Sequence, residues 1–477
     1  MIHRLKARLF RSLGRRNWRS QAWSSALANL QRAAEHDPGH LLTQLNIAWC
    51  LYKLQKYESA IEKCEQVLQK SPNCAAAHAC RAHSLAEVGR RQEAIDEVRR
   101  AVRLSSKMSE TELGSWEGYL GAWLVDLGQY AEAVGPLEHA VALAPDDASW
   151  RHRLGIAYRE LGRTEDSLKE LQAVLKIDPA CPYTHHALGV HFANVKQFDK
   201  AVDAYRQALR LRPEEADTHV NLGIAYGELG RMEEEISEYK KAIELAPGDF
   251  TALSNLGVAY SQSGRSESAI EVWKRAISSN PDSKEVWGSL SMEYERLGRW
   301  QEALDACREI ERLAPNDAIA QGNVAVFLNR LGKFDEALEK ARQAIRSDPN
   351  CPDGYLHAGV ALEGLGDNQP AIHEYQRVLE LKPDNPYALV NLGHVYLDLG
   401  RGEEAVALMK HATELYPESV EAHDSLGTAY FKTGDPEKAM EELDIAVRLD
   451  PKFQGELRKL LVETQAVSQK SPPGALR

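Results

Sequence analysis

Seven cysteines and sixteen histidines are the residues of this 477-residue chain best equipped to hold a metal or attack a substrate, and their spacing suits neither task. No two cysteines form a Cys-x-x-Cys pair, so neither a zinc ribbon nor a redox dithiol can be drawn from them. His152 and His186, with His185 and His191 near the second, are the densest imidazole group. They lack the i, i+4 ligand pair that would set two donors on one helix face. No cysteine has a phased histidine or acid to activate it, as a nucleophile requires. A phosphate-binding glycine loop, a Gly-x-Ser-x-Gly elbow, a His-Glu-x-x-His zinc motif and a dinucleotide fingerprint are all missing from the sequence. These residues predict no catalyst, no metal and no cofactor. An odd number of cysteines and no apolar leader predict reduced thiols and an intracellular, cytoplasmic protein.

What could position side chains here is a repeat. Pro145, Pro179, Pro213, Pro247, Pro281, Pro315, Pro349, Pro383, Pro417 and Pro451 follow one another at intervals of 34 residues, and Pro38 and Pro72 share the interval. Fixed periods of this size mark stacked architectures. Ten residues after each proline stands a small residue, as at Gly155, Gly189, Gly223, Ser291, Ala325 and Gly359. Twelve before stands another, usually alanine, as at Ala201, Ala269 and Ala303. Small side chains at both places let two antiparallel helices approach closely. Seventeen after the proline comes a glycine able to take the left-handed conformation that stops a helix, as at Gly162, Gly230 and Gly264. Each unit therefore reads helix A, glycine stop, helix B, proline stop, thirteen times over.

The run Asn221-Leu222-Gly223-Ile224-Ala225-Tyr226-Gly227-Glu228-Leu229-Gly230, followed by Tyr239, Ala242 and Pro247, resembles the tetratricopeptide repeat. The resemblance covers residues 7–453. Glu235 and Ser167 depart from it by replacing the helix-B alanine, and Lys196 by replacing a stop glycine. The fold it implies is all-α: a right-handed superhelical solenoid of tandem helix–turn–helix units, with the A helices lining a concave groove.

Two A-helix positions then become candidates for binding. Eleven residues after the prolines runs an apolar line of Ile156, Val190, Ile224, Val258, Met292, Val326 and Val360, suited to an extended or helical peptide. Eight after them, asparagine recurs as Asn46, Asn221, Asn255, Asn323 and Asn391. An amide both donates and accepts, so it can pair with peptide backbone whatever the peptide's sequence. The array is similar to that of the protein O-linked N-acetylglucosamine transferase family, where an asparagine ladder grips peptide, although Ala187, Ser289, His357 and Ser425 interrupt the series here. One residue before the asparagine, where chaperone-binding relatives would carry a clamp lysine, stand Leu45, Ala79, His152, His186, Val220 and Ser254, which disfavours that clamp. His152 and His186 are expected to face the groove and each other.

Charge adds a further candidate. The chain carries −12 overall, but residues 1–20 hold seven cations and no acid, which leaves −19 for the remainder. An acidic body repels phosphate, so general nucleic-acid binding is not expected. Arg4, Lys6, Arg8, Arg11, Arg15 and Arg16 form a possible docking patch for an acidic partner or a membrane surface, with Ile2, Leu5, Leu9 and Leu13 on one helical face. No apolar run is long enough to span a bilayer. By domain, 1–108 reads as three repeats with a basic first helix, and 109–113 as an irregular insert or hinge. Residues 114–453 read as ten contiguous repeats, 454–467 as a capping helix and 468–477 as a disordered tail. The expected role is a non-catalytic scaffold or adaptor that takes a partner peptide or helix in the groove. The alternative is a structural subunit that self-associates or joins a larger complex through its edges and end units.

Overall fold

A computed structural model describes residues 2–104 and 109–452. Among these there are twenty-six helices, α1 (Ile2–Arg19) to α26 (Pro436–Leu449), and no strand. Odd-numbered helices are the A helices and even-numbered ones the B helices, thirteen of each. The chain forms two compact units, residues 1–247 with α1 to α14 (Met232–Leu245), and residues 248–477 with α15 (Phe250–Gln262) to α26. The proposed capping helix and tail at 454–477 lie outside the described residues.

The stop signals act as the spacing predicts. Ten glycines, Gly162 and Gly230 among them, have φ between +69° and +90°, each just after an A helix. Gln21, Gln55 and Lys196 hold the same place with φ of 56–60°, where a β-carbon is strained. We expect Gln55→Gly to raise stability by about 0.5–1 kcal/mol, read from the denaturant midpoint. The extra residues at 109–113 open α7 (Glu110–Asp126): Ser109 caps it through a reciprocal capping box with Glu112. That A helix is 17 residues long, whereas α9 (Ala148–Glu160) has the usual 13. Residues 105–108, just before this insert, lie outside the described residues.

Each hairpin is held by a size match that runs through the whole array. The small residue ten after the proline meets the side chain sixteen positions on, in the helix B of its own unit. Glycine faces a large partner: a β-carbon on Gly223 would lie 2.6 Å from Tyr239, on Gly359 2.6 Å from Tyr375, on Gly393 2.8 Å from Met409 and on Gly155 2.9 Å from Leu171. Where the first member already has a β-carbon, the second shrinks, as in Ala48 with Cys64, Ala82 with Val98, Ser291 with Cys307 and Ala325 with Ala341. All eight residues of those four pairs are buried. Interiors are packed too densely for both members to be large.

A second device closes the joint between repeats. The proline that ends helix B leaves its carbonyl beyond the reach of helix bonds. The side chain six residues later bonds to it: Gln44 to Pro38 at 3.1 Å, His78 to Pro72 at 2.8 Å, Arg151 to Pro145 at 2.6 Å, His219 to Pro213 at 3.0 Å, Trp287 to Pro281 at 2.9 Å and Tyr355 to Pro349 at 3.1 Å. His185, Gln321 and His423 do the same. Among the described residues Leu253 and Leu389 are the apolar exceptions at this register.

The arginines that follow the glycine stops are also structural. Three of them lie over the tyrosine at the end of the preceding A helix, Arg163 over Tyr158 at 4.1 Å, Arg231 over Tyr226 at 4.7 Å and Arg401 over Tyr396 at 4.0 Å. Each also pairs with an acid three residues on: Asp166, Glu234 and Glu404 respectively. This row is therefore held in place by the fold, beyond any attraction to helix carboxyl ends.

Candidate protein-binding face

Within each unit most successive A helices touch one another, as α7 touches α9 and α19 (Ala318–Arg330) touches α21 (Pro352–Gly364), whereas among the described residues no two B helices come into comparable contact. The A helices therefore occupy the inner side of each unit's stack. On this side the asparagines eight after the proline and the apolar line eleven after it keep solvent contact while their immediate neighbours are buried, whereas Cys80, Ala187, Ser425 and His83 at the same positions are buried.

In the first unit Ile156 and Val190 are half-buried and Ile224 is exposed. In the second unit Val258 is exposed, Met292 is 72% exposed, and Val326 and Val360 are half-buried. Asn46 and Asn221 in the first unit and Asn255 and Asn391 in the second are half-buried, and Asn323 is exposed. The Asn391 amide lies beside the Tyr375 hydroxyl. Tyr375 in turn donates to Glu363 at 2.8 Å.

His152 and His186 lie between successive A helices rather than standing free. His152 Nδ1 is 3.0 Å from Thr184 Oγ1, and His186 Nδ1 is 2.8 Å from Thr218 Oγ1, each threonine belonging to the next repeat. Burial, reinforced by Arg153, Arg159 and His186, pushes His152 down to about 4. Burial and Arg159 lower His186 as well, against Asp217 and Glu215. At neutral pH both rings are thus uncharged hydrogen-bonding groups. Among the described residues no three His, Cys, Asp or Glu side chains converge as metal ligands would.

The basic patch lies on α1. Arg4, Lys6, Arg8 and Arg15 are exposed, and Arg11 pairs with Asp37 at 3.1 Å. The side chain of Arg16 lies outside the described ones. No helix among the described residues is long and apolar enough to cross a membrane.

One feature of the inner side has no counterpart in the sequence reading. In the first unit a chain of rings crosses successive A helices. Trp49 and Tyr52 each lie 5.8 Å from His83, which stands 4.4 Å from Tyr119 and 5.4 Å from Trp123, and Tyr119 lies 5.1 Å from Trp150. Tyr119 is exposed, and Trp49, Tyr52 and Trp150 are half-buried, so the tract offers ring surface. Burial, with Lys53 nearby, pushes His83 down to about 4. The unfolded chain therefore takes up that proton first, and stability is lost as pH falls from about 6.5 towards 4. At pH 5.5 the loss due to His83 is about 1 kcal/mol. Melting at pH 7.5 and 5.5 should show a drop that His83→Phe reduces.

Tetratricopeptide repeat models match residues 18–83, 124–189 and 362–426, then 186–250, 254–318 and 328–386, and finally 420–453. No curated protein sequence matches the chain. Among solved structures it is similar to yeast Tom70, at 16% identity over 97% of this chain and 96% of that one, with a TM-score of 0.40. It is similar to a chain of the Cut9–Hcn1 hetero-tetramer of the APC/C, at 13% identity over 96% of each chain and a TM-score of 0.41. YrrB, described as a tetratricopeptide protein with an unusual peptide-binding site, matches 39% of this chain and 97% of its own at 22% identity, with a TM-score of 0.36. The thirteen phased hairpins and the matched repeat models agree: the chain belongs to the tetratricopeptide repeat family.

Proposed function

We propose that this protein is a non-catalytic scaffold whose inner A-helix faces hold a peptide or helix of a partner protein. Tetratricopeptide proteins generally mediate protein–protein interaction and complex assembly. The observation that carries the reading here is selective exposure. Along each A helix the flanking positions are buried, yet the apolar line through Val258 and Met292 stays in solvent. An apolar row bordered by amides such as Asn255 and Asn323 suits recognition of backbone with hydrophobic anchors. In the first unit the ring tract from Trp49 to Trp150 adds aromatic contact area, and Asn46 and Asn221 continue the amide row. A cytoplasmic setting belongs to the same proposal, since all seven cysteines are free.

The test is a peptide selected from a random library on the whole protein, followed by calorimetry. Asn255→Ala with Asn323→Ala should weaken binding by about 1–3 kcal/mol if both amides hold main chain. Unchanged affinity in that double variant, with Met292→Glu also silent, would move the binding site off this face.

A further inference from the structure

The first A helix leaves uncovered the face on which later repeats within a unit receive the preceding helix B. In an A helix, the residues five and nine after the proline point at the preceding helix B. A β-carbon on Gly354, at the first of these registers, would lie 3.0 Å from Ile345 of that helix, and Leu188, at the second, clusters with Leu168, Leu171 and Leu175. Burial follows at most positions of both registers. Thr43, Thr184, Ala388 and Ala422 at the first, and Ile47, Leu154, Leu290 and Leu392 at the second, are at most 3% exposed and Leu188 is 6% exposed, while Trp150 at the first and Arg81 at the second are half-buried. In α1 the two registers are Leu9 and Leu13, and they are 59% and 37% exposed. Leu5, one turn earlier, is 67% exposed. Ala7 and Gly14, on the opposite side, are buried against the rest of the unit.

Three leucines at i, i+4 and i+8 form a ridge of the kind that packs into the groove of another helix. Helical geometry sets Lys6 along one flank and Arg8 and Arg15 along the other. All three are exposed, and α1 contains no acid. This exposed face presents leucines bordered by cations. We infer that the Leu5–Leu9–Leu13 face of α1 is a docking site for an acidic amphipathic helix of a partner protein, seated where a helix B would stand. Shape comes from the register, which takes a helix in the other repeats. Sign comes from the flanking cations. The site is separate from the inner face and does not rest on its binding a peptide.

The probe is a fluorescent synthetic peptide with the sequence of residues 232–245, the helix-B segment richest in acids, with five acids and two lysines. It is titrated into the full-length protein and read by anisotropy, beside a scrambled peptide of the same composition. We expect saturable binding of the ordered peptide, at least tenfold weaker binding of the scrambled one, and at least tenfold weakening between 50 and 500 mM salt. Leu9→Glu with Leu13→Glu should cut affinity at least tenfold with an unchanged circular dichroism spectrum, because both side chains are already in solvent. Met292→Glu should leave it unaltered, which separates this site from the inner face. Equal binding of the scrambled peptide, absence of saturable binding, or indifference to the leucine substitutions overturns the inference. So does leucine-dependent binding to phosphatidylserine vesicles without peptide binding, which would assign the face to a membrane surface.

Discussion

Replacing Tyr375 by alanine should cost the second unit about 3–5 kcal/mol, as other large-to-small core changes do. Tyr375 is fully buried within the cluster that includes Leu362, Val378, Leu392 and Tyr396. Its ring fills the space that Gly359 leaves, and its hydroxyl donates to a Glu363 carboxyl whose pKa burial raises. Truncation therefore opens a cavity and strips a partner from a half-buried acid. The size rule makes a sharper statement. Gly359→Ala alone should destabilise by about 1–3 kcal/mol through overpacking, reduced somewhat by the better helix propensity of alanine. In a Tyr375→Val background the same alanine should cost nothing or stabilise, because Ala82 with Val98 already stands at this register. Urea midpoints for the four proteins of that cycle read the coupling directly. Additive single effects would show that the two residues do not compete for one space.

Glu238→Ala should cost the first unit about 1–3 kcal/mol, the range for leaving a buried hydrogen-bonding group without its partner. Glu238 Oε2 lies 2.6 Å from His219 Nδ1, and Lys241 donates to its other oxygen at 2.8 Å. His219 Nε2 faces the Pro213 carbonyl at 3.0 Å. Both ring nitrogens thus face acceptors, and losing the carboxylate strands a buried imidazole. The same arrangement recurs at His78 with Glu97 and Pro72, and at His423 with Glu442 and Pro417. Burial alone would raise the Glu238 carboxyl, but bonds from His219 and Lys241 outweigh it and hold the group below its usual range. The unfolded chain therefore binds this proton at higher pH than the folded one does. The carboxylate's contribution is present above about pH 4.5 and declines as pH falls further. Hydrogen exchange across 213–245 should accelerate in the variant, and the acid limb of its stability curve below pH 4.5 should flatten.

Sequence and structure coincide where one residue type recurs at one offset. Proline and glycine stops set the ends of the helices because each has a conformational property that nothing else in the unit supplies, and where Gln55 and Lys196 stand in for glycine the backbone still takes positive φ. The size match and the carbonyl cap were equally periodic but carried by changing residues. His78, Arg151, Trp287 and Tyr355 share only a side-chain donor at one distance from the backbone. A reading keyed to residue identity passes over them. The ring tract was beyond sequence reading for a different reason. Trp49 and His83 sit eleven after their prolines, Trp150 five after Pro145, and Tyr119 and Trp123 lie in a helix whose own proline is absent. Their contact depends on how adjacent repeats rotate against each other. The leucines of α1 were visible as one helical face; that the face is the stacking face followed only once the later repeats showed theirs buried.

The proposal that partners are held on the inner faces is tested most directly by site-specific photo-crosslinking in native extract. Benzoylphenylalanine at Met292, on an A helix, should capture a discrete partner, whereas the same group at Glu271, exposed on the helix B of the preceding repeat, should not. Capture at position 271 with none at 292 would contradict the account.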